Sequence, residues 1–352
     1  MPCASVKQLN HFRSRRLTIA SISTKGLFAM SCTFCRIRIV VVLAASILFL
    51  NQRLHAKDVY VNNVAGDDHN TGQLERSASP GSGPTKSIQR ALRLADAGDR
   101  IVIANTGQAY YECVTVQGDE NSGSKSFPFI IEGNGAVIDG TAAVPEAEWR
   151  PVAETKTIFA FEPDRYQHQQ LFLDGKPLAQ DVSILSQYQL GLLKPEHWTY
   201  LHRCLILRTA NDKLPRDYNL SYSAHPVGVT LYRVRHVVVR NLTVQGFQLD
   251  GVNAHDNAFD CRLEDVRLRG NGRSGLSVGG ASRIELAGST LGDNGVAQIR
   301  TEGWSTTKVI RSELLVTRSP AWSIEGGQLY VDGELKSPAF VHANSRSPLH
   351  RK

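Results

Sequence analysis

The stretch "VRNLTVQGFQLDGVNAHD", Val239–Asp256, decides how this chain folds. Its apolar residues alternate as in a half-buried strand, break at Gly246 and alternate again. Taken alone, it is a hairpin. Set beside the residues C-terminal to it, it is one unit of a repeat. "VRNLTV" at 239 is followed by "LEDVRL" at 263, "LAGSTL" at 286 and "IRSELL" at 310, steps of 24, 23 and 24 residues. The second half recurs as "GVNA", "GLSV", "AQI" and "WSI", ending at Ala254, Val278, Ile299 and Ile324. Gly246, Gly270-Asn271-Gly272 and Asp293-Asn294-Gly295 mark the bends, where Gly and Asn accept the positive φ that sharp corners need.

A fixed period in the low twenties with short strands means a solenoid. The Leu-x-x-Leu-x-Leu-x-x-Asn consensus of leucine-rich repeats is missing. Short strands between glycine corners predict an all-β, right-handed parallel β-helix. One such turn cannot bury enough apolar surface to offset its own ordering, so turns must stack and their ends need covering. A cover is present. In "PTKSIQRALRLADAGDRIVI", Ile88, Ala91, Leu92 and Ala95 share one helix face, with Thr85 as the expected N-cap and Gly98 as the stop. Strands are expected at 100–104, 113–116, 129–132 and 136–138.

These stretches carry a resemblance. "DVYVNNVAGDDHNTG", the helix segment with "IVIANTGQAYYECVTV", and "FPFIIEGNGAVIDGT" resemble the opening of the pectate-lyase-like right-handed parallel β-helix proteins. The matching features are Gly98-Asp99, Tyr110/Tyr111-Glu112 and Ile131–Gly140. The resemblance covers about 58–141 and 227–335, and it implies a fold rather than an activity, because that superfamily holds lyases, hydrolases, epimerases and non-catalytic surface proteins. Residues of about 142–224 do not repeat. They hold a hairpin signal, "QLFLDGKPLAQ", and "HWTYLHRCLILRT", and are expected to form an inserted β lobe walling a substrate groove, with a small separate domain as the alternative.

The charge of +7 invites a nucleic-acid reading, but residues 1–56 hold eight basic residues and no acidic one. The rest has 32 basic against 33 acidic residues and no basic block, which argues against nucleic-acid binding. Residues 1–56 read as a leader: Arg36 and Arg38, an apolar run Ile39–Leu50, then Ala56 as a cleavage site, with Met30 as the expected true start. That run is short of the ~20 residues of a membrane span. An exported, monomeric chain without a stable membrane span after signal removal is expected, an uncleaved anchor being the alternative. Residues 57–335 form the β-helix domain. The tail 336–352 is polar, so the last turn reads as uncapped, covered by a partner or shortened relative to a longer relative. Of the three cysteines outside the leader, Cys113 and Cys261 lie in apolar strand patterns and are expected as buried thiols.

If Val252 and Ala254 point inward, their neighbours point outward and stack from turn to turn. One outward ladder then reads Thr230, Asn253, Ser277, Gln298, Ser323, and the next Tyr232, His255, Gly279, Arg300, Glu325. Asp250 and Asp256 flank the strand, and Glu302 and Trp304 follow Arg300. Two chemistries fit such a face. His255 as base with Arg300 as cation suits β-elimination of a uronate polymer. Asp250 or Asp256 with Glu302 or Glu325 suits glycoside hydrolysis, which needs two carboxyl groups at a set separation. Asn253, Gln298, Trp304 and Tyr232 are the expected substrate contacts. Merely solvated polar side chains are the competing reading of any outward ladder. "GDDHNTG" offers Asp67, Asp68 and Asn70 as oxygen ligands for Ca²⁺, without the spacing of an EF-hand; a polar turn explains them as well. The sequence therefore predicts a carbohydrate-active protein acting on an acidic polysaccharide by lyase or hydrolase chemistry. The alternative is a non-catalytic carbohydrate-binding or surface solenoid.

Overall fold

The computed structural model describes residues 56–152 and 155–337. The segment expected to be an export signal, up to residue 55, and the tail beyond 337 lie outside the described residues. Among the described residues no helix is long and apolar enough to cross a membrane.

The dominant element is a 16-stranded sheet, parallel throughout except for its final pair and curled into a half-barrel. Its strands form three ladders. The first runs through Val114–Gln117, Val229–Tyr232, Asp250–His255, Ser274–Val278, the start of Ala297–Ile310 and the start of Trp322–Val331. The second runs from Asp58–Val61 through Arg100–Ile103, Phe129–Asp139, Val237–Gln245, Cys261–Glu264 and Arg283–Ala287 to the far half of Ala297–Ile310. The third stacks the far ends of Phe129–Asp139 and Val237–Gln245 on Arg267–Arg269, Thr290–Gly292 and Glu313–Leu314. The opening stretch is therefore no hairpin: its two halves lie on different ladders, each paired with the next unit of chain.

Alternation drives this arrangement. Val229, Leu231, Val252, Ala254, Leu276, Val278 and Ile299 are all fully buried in one continuous core with Val239, Leu263, Leu286 and Val309. The period-2 pleat sends their neighbours to the other face. Two expected alignments shift. Ile299 pairs with Leu276, not Val278, and Val309, not Ile310, pairs with Leu286. The first shift is two residues, which the pleat cannot distinguish, since the same side chains stay inward. The second is one residue, hidden because Val309/Leu314 and Ile310/Leu315 are apolar pairs of equal spacing.

The corners also differ from expectation. Gly246, Gly270 and Asp293 carry the positive φ, whereas Asn271 and Asn294 do not. Both asparagines are fully buried and form a ladder of their own. Asn271 Nδ2 donates to Asn294 Oδ1 at 3.0 Å, and Asn271 Oδ1 accepts from the Phe247 N–H at 3.1 Å. Asn294 Nδ2 donates to the Leu268 carbonyl and to Gln298 Oε1. These amides satisfy backbone groups that the corner would otherwise leave unpaired in the core.

The capping helix, Ile88–Leu94, buries Ile88, Ala91 and Leu92. Its N-cap is Ser87, two residues after the expected Thr85, which instead donates to the Tyr60 carbonyl. The Glu112 carboxylate accepts from the N–H groups of Ile88 and Gln89 and completes the cap. Cys261 is buried as expected, but Cys113 is exposed, because the strand begins one residue later, at Val114.

Between Gly140 and Gly228 the chain leaves the ladders at a corner. It forms two four-stranded antiparallel sheets with their own cores around Trp198, Phe161 and Leu171, and around Ile158 and Leu193. Two-residue hairpins at Asp174-Gly175 and His202-Arg203 have positive φ at both central residues, the geometry that matches strand twist.

The buried asparagine ladder yields a stability prediction. Asn271→Leu leaves the Phe247 N–H and neighbouring corner groups without partners, each costing roughly 1–3 kcal/mol. The urea midpoint is expected to fall by the equivalent of about 3 kcal/mol. An unchanged midpoint would show that the corner closes without the amide.

Candidate functional site

The first ladder carries two outward rows in which Ser277 and Arg300 are buried and the other residues are half-buried or exposed. With the observed register, one outward row reads Thr230, Asn253, Ser277, Arg300, Ser323. The adjacent row reads Tyr232, His255, then Gly279 by continuation, then Glu302 and Glu325. The two-residue shift thus moves Arg300 one row over and seats Glu302 directly beside Glu325. Gln298 leaves the outward row altogether. It is fully buried in the corner, donating to Ser319 Oγ and accepting from Asn294.

Arg300 is the hub of this face. Its Nη2 lies 2.9 Å from Glu302 Oε1 and 2.9 Å from Glu325 Oε1. Two oxygens held on one nitrogen lie within twice that distance of each other. The guanidinium is 90% buried, whereas both glutamates are open to solvent. Its Nε and Nη1 are buried without a hydrogen-bond partner among the described residues. Burial pushes the Glu325 carboxyl up, but the hydrogen bond and charge of Arg300, with Ser323 and Arg273, outweigh it. They hold Glu325 below the usual carboxylate range. Trp304, two residues past Glu302 in the same strand, is 89% exposed.

Asp250 is placed differently. It is fully buried and accepts from Arg273 through both carboxylate oxygens, from Ser274 Oγ at 2.6 Å and from Asn253 Nδ2 at 3.1 Å. This satisfied carboxylate fixes the corner and the start of the strand rather than facing solvent. His255 and Asp256 form a separate exposed pair at 3.4 Å, with the His255 ring tilted against Tyr232. The Gly279 rung separates His255 from Glu302, so the two are about 10 Å apart along the ladder. The face therefore unites Arg300, Glu302 and Glu325, and leaves His255 with Asp256 two rungs away.

No family model matches the chain, and no curated protein matches it. Solved structures give distant likenesses. The complex of XylC with xylose is 10% identical over 78% of this chain and 69% of that one, with a TM-score of 0.38. The GH136 lacto-N-biosidase from Eubacterium ramulus is 14% identical over 83% of this chain, which spans 45% of the lacto-N-biosidase chain, with a TM-score of 0.39. A structure described as "Glycoside hydrolase" is 10% identical over 79% and 95% of the two chains, with a TM-score of 0.36. Scores this low contribute no argument on activity.

The structure adds two residues that the sequence pattern did not single out. Arg273 sits in a glycine corner and reads there as loop polarity. His168 comes from the non-repeating lobe. Its backbone is left-handed, with φ of 52°, and its carbonyl packs where a side chain on Gly272 would project. Gln170 pins the same segment, donating to the Asn271 carbonyl and accepting from Arg318 Nη2 at 2.6 Å. Partial burial, then the charge of Arg273 and more weakly that of Arg300, lower the His168 pKa against the pull of Asp250. The proposed calcium ligands are engaged locally. Asp68 accepts from the N–H groups of Lys86 and Ser87, Asp67 from His69, and Asn70 donates to the Pro84 carbonyl. Among the described residues no group of three His, Cys, Asp or Glu stands at metal-holding spacing.

This geometry sets two expected outcomes. Arg273→Met strands a fully buried carboxylate and is expected to cost about 3–5 kcal/mol, much of it recovered by adding Asp250→Asn; chemical denaturation of both variants measures this. For His168 the folded pKa lies below the unfolded value of about 6.5, so the unfolded state binds the proton more tightly. Stability is then retained above that pH and falls below it, modestly because the ring is partly solvated. His168→Asn should flatten the difference between urea midpoints at pH 5 and pH 7.5.

Proposed function

We propose that this protein is an exported right-handed parallel β-helix enzyme that hydrolyses glycosidic bonds of an acidic extracellular polysaccharide. Three ladders of parallel strands with a repeat of 23–24 residues support the β-helix reading. Export rests on the order of charge and apolarity in the leader.

The observation that carries the activity is the pair Glu302 and Glu325 on one nitrogen of Arg300. Retaining glycosidases place their carboxyl groups about 5–5.5 Å apart, and inverting ones about 6.5–9.5 Å. Adjacent rungs and a shared guanidinium favour the shorter separation. Glu325, held ionised, takes the nucleophile's role. Glu302, the second carboxyl on Arg300 Nη2, is assigned the acid's role by its position opposite Glu325: once protonated, it gives its proton to the leaving oxygen, whose bond to the anomeric carbon breaks as Glu325 bonds to that carbon. Water then displaces Glu325 and returns a proton to Glu302. Arg300 orients both groups, and Trp304 supplies a stacking face for a sugar ring. β-Elimination is less well served, because the Arg300 nitrogen that faces the glutamates is already neutralised and His255 stands two rungs off. One feature favours the non-catalytic alternative: both glutamates are tied to arginine, which also suits a rigid binding face.

Incubation with neutral and acidic polysaccharides, reading reducing ends and unsaturated-sugar absorbance, separates these readings. Hydrolysis gives reducing ends without new absorbance and with retained anomeric configuration. Glu302→Gln and Glu325→Gln should each lower the rate by about 10²–10⁴-fold with little change in thermal midpoint. New absorbance would assign elimination instead. Binding without any product from the unmodified protein would leave the solenoid as a carbohydrate-binding module.

A further inference from the structure

The outward row of Glu302 continues towards the capping helix. Gln117 pairs with Tyr232 and Tyr232 with His255, so Tyr232 lies three rungs, about 14 Å, from Glu302. At Tyr232 and Gln117 the face opens into a groove of about 670 Å³, bounded by the helix, the turn at 118–121 and the turns around 233–235 and 257–259.

Three arginines line this groove: Arg93 from the helix, and Arg233 and Arg235 from the turn after Tyr232. All three residues are exposed. Among the described residues none of them forms an ion pair, although arginines elsewhere on the ladders do. Arg100 pairs with Asp58, Arg240 with Glu132, Arg262 with Glu285, and Arg273 with Asp250. Nor are the groove arginines freely placed. Arg233 has a left-handed backbone, with φ of 54°, and Arg235 lies over the Phe259 ring at 5.0 Å. Isolated exposed arginines are ordinarily just solvated. Three around one concavity, on the row that leads to a carboxylate pair, make a site for negative charge. Asp119 and Glu120 line the same groove and oppose it.

We infer that this groove is a distal subsite that binds an acidic sugar unit, through a carboxylate or a sulfate ester, of a polysaccharide lying along the outward face. The assignment rests on the carbohydrate reading of the glutamate pair and extends it to a second position on the same face. The guanidiniums receive the anionic group, and Gln117 and Tyr232 stand on the row that leads to Glu302.

The test is binding of polygalacturonate oligomers, of sulfated dextran and of their neutral counterparts to the purified chain by calorimetry. The variant R93Q/R233Q/R235Q should weaken binding of an acidic ligand by at least about tenfold, leave neutral ligands and the thermal midpoint unchanged, and flatten the salt dependence. D119N/E120Q should tighten the same ligand by removing the opposing charge. Comparison of the uronate and sulfate arms identifies the anionic group. Equal affinity of the unmodified and triple-variant proteins for both acidic ligands overturns the subsite, as does failure of the unmodified protein to bind either. The two readings fail separately. Loss of the glutamate effect with retained arginine-dependent binding removes the hydrolase and keeps the subsite. Hydrolysis indifferent to the arginines and to acidic groups removes the subsite alone.

Discussion

The candidate site depends on rung-to-rung register in the parallel ladders. From Val229 onward each strand pairs with the strand one repeat further along the chain, so a side chain's neighbours on the face are residues 22–24 positions distant in sequence. The core sets which residues point inward, because a one-residue slip would turn every apolar side chain outward. Hydrogen bonding then stacks the outward residues about 4.8 Å apart. Arg300, Glu302 and Glu325 meet because two strands share that register.

The buried polar groups hold this register in place. The Asn271–Asn294 ladder ties one corner to the next from within the core, and the Asp250–Arg273–Ser274 cluster ties a corner to the strand that starts there. Such networks contribute to a unique arrangement only while every partner is present, since an unpaired buried group costs more than a satisfied one gains. The lobe leaves the ladders at the first corner of the same column and comes down on Gly272 and Asn271. A side chain at Gly272 would collide with the His168 carbonyl, so this glycine is needed for close approach rather than for its φ. The lobe is thereby pinned to this corner.

The inward set was legible in the sequence. Val252, Ala254, Leu263 and Leu276 alternate, and alternation is a local property of the pleat. The capping helix was legible for the same reason, from Ile88, Ala91 and Leu92, though its cap residue was not, since Thr85 and Ser87 are both good caps and only the path of the Tyr60 strand decides between them. The corners were legible as corners. That Asn271 and Asn294 work as buried hydrogen-bonding ladders, and not as residues with positive φ, was not, because both uses leave the same Asn-Gly signature.

By itself, then, the sequence determined the 23–24-residue spacing of the later strands and the two faces of each strand, because these depend on local spacing. Tertiary structure decided which outward residues are neighbours. A slip of two residues keeps every apolar side chain inside and changes no local preference, so no local signal distinguishes Arg300 from Glu302 as the partner of Glu325. The hydrogen-bonded pairing of parallel strands along the ladder makes that choice. The same holds for His168 and Arg93, which belong to no periodic pattern: only the packing of lobe and helix brings the first to the Gly272 corner and the second to the distal groove.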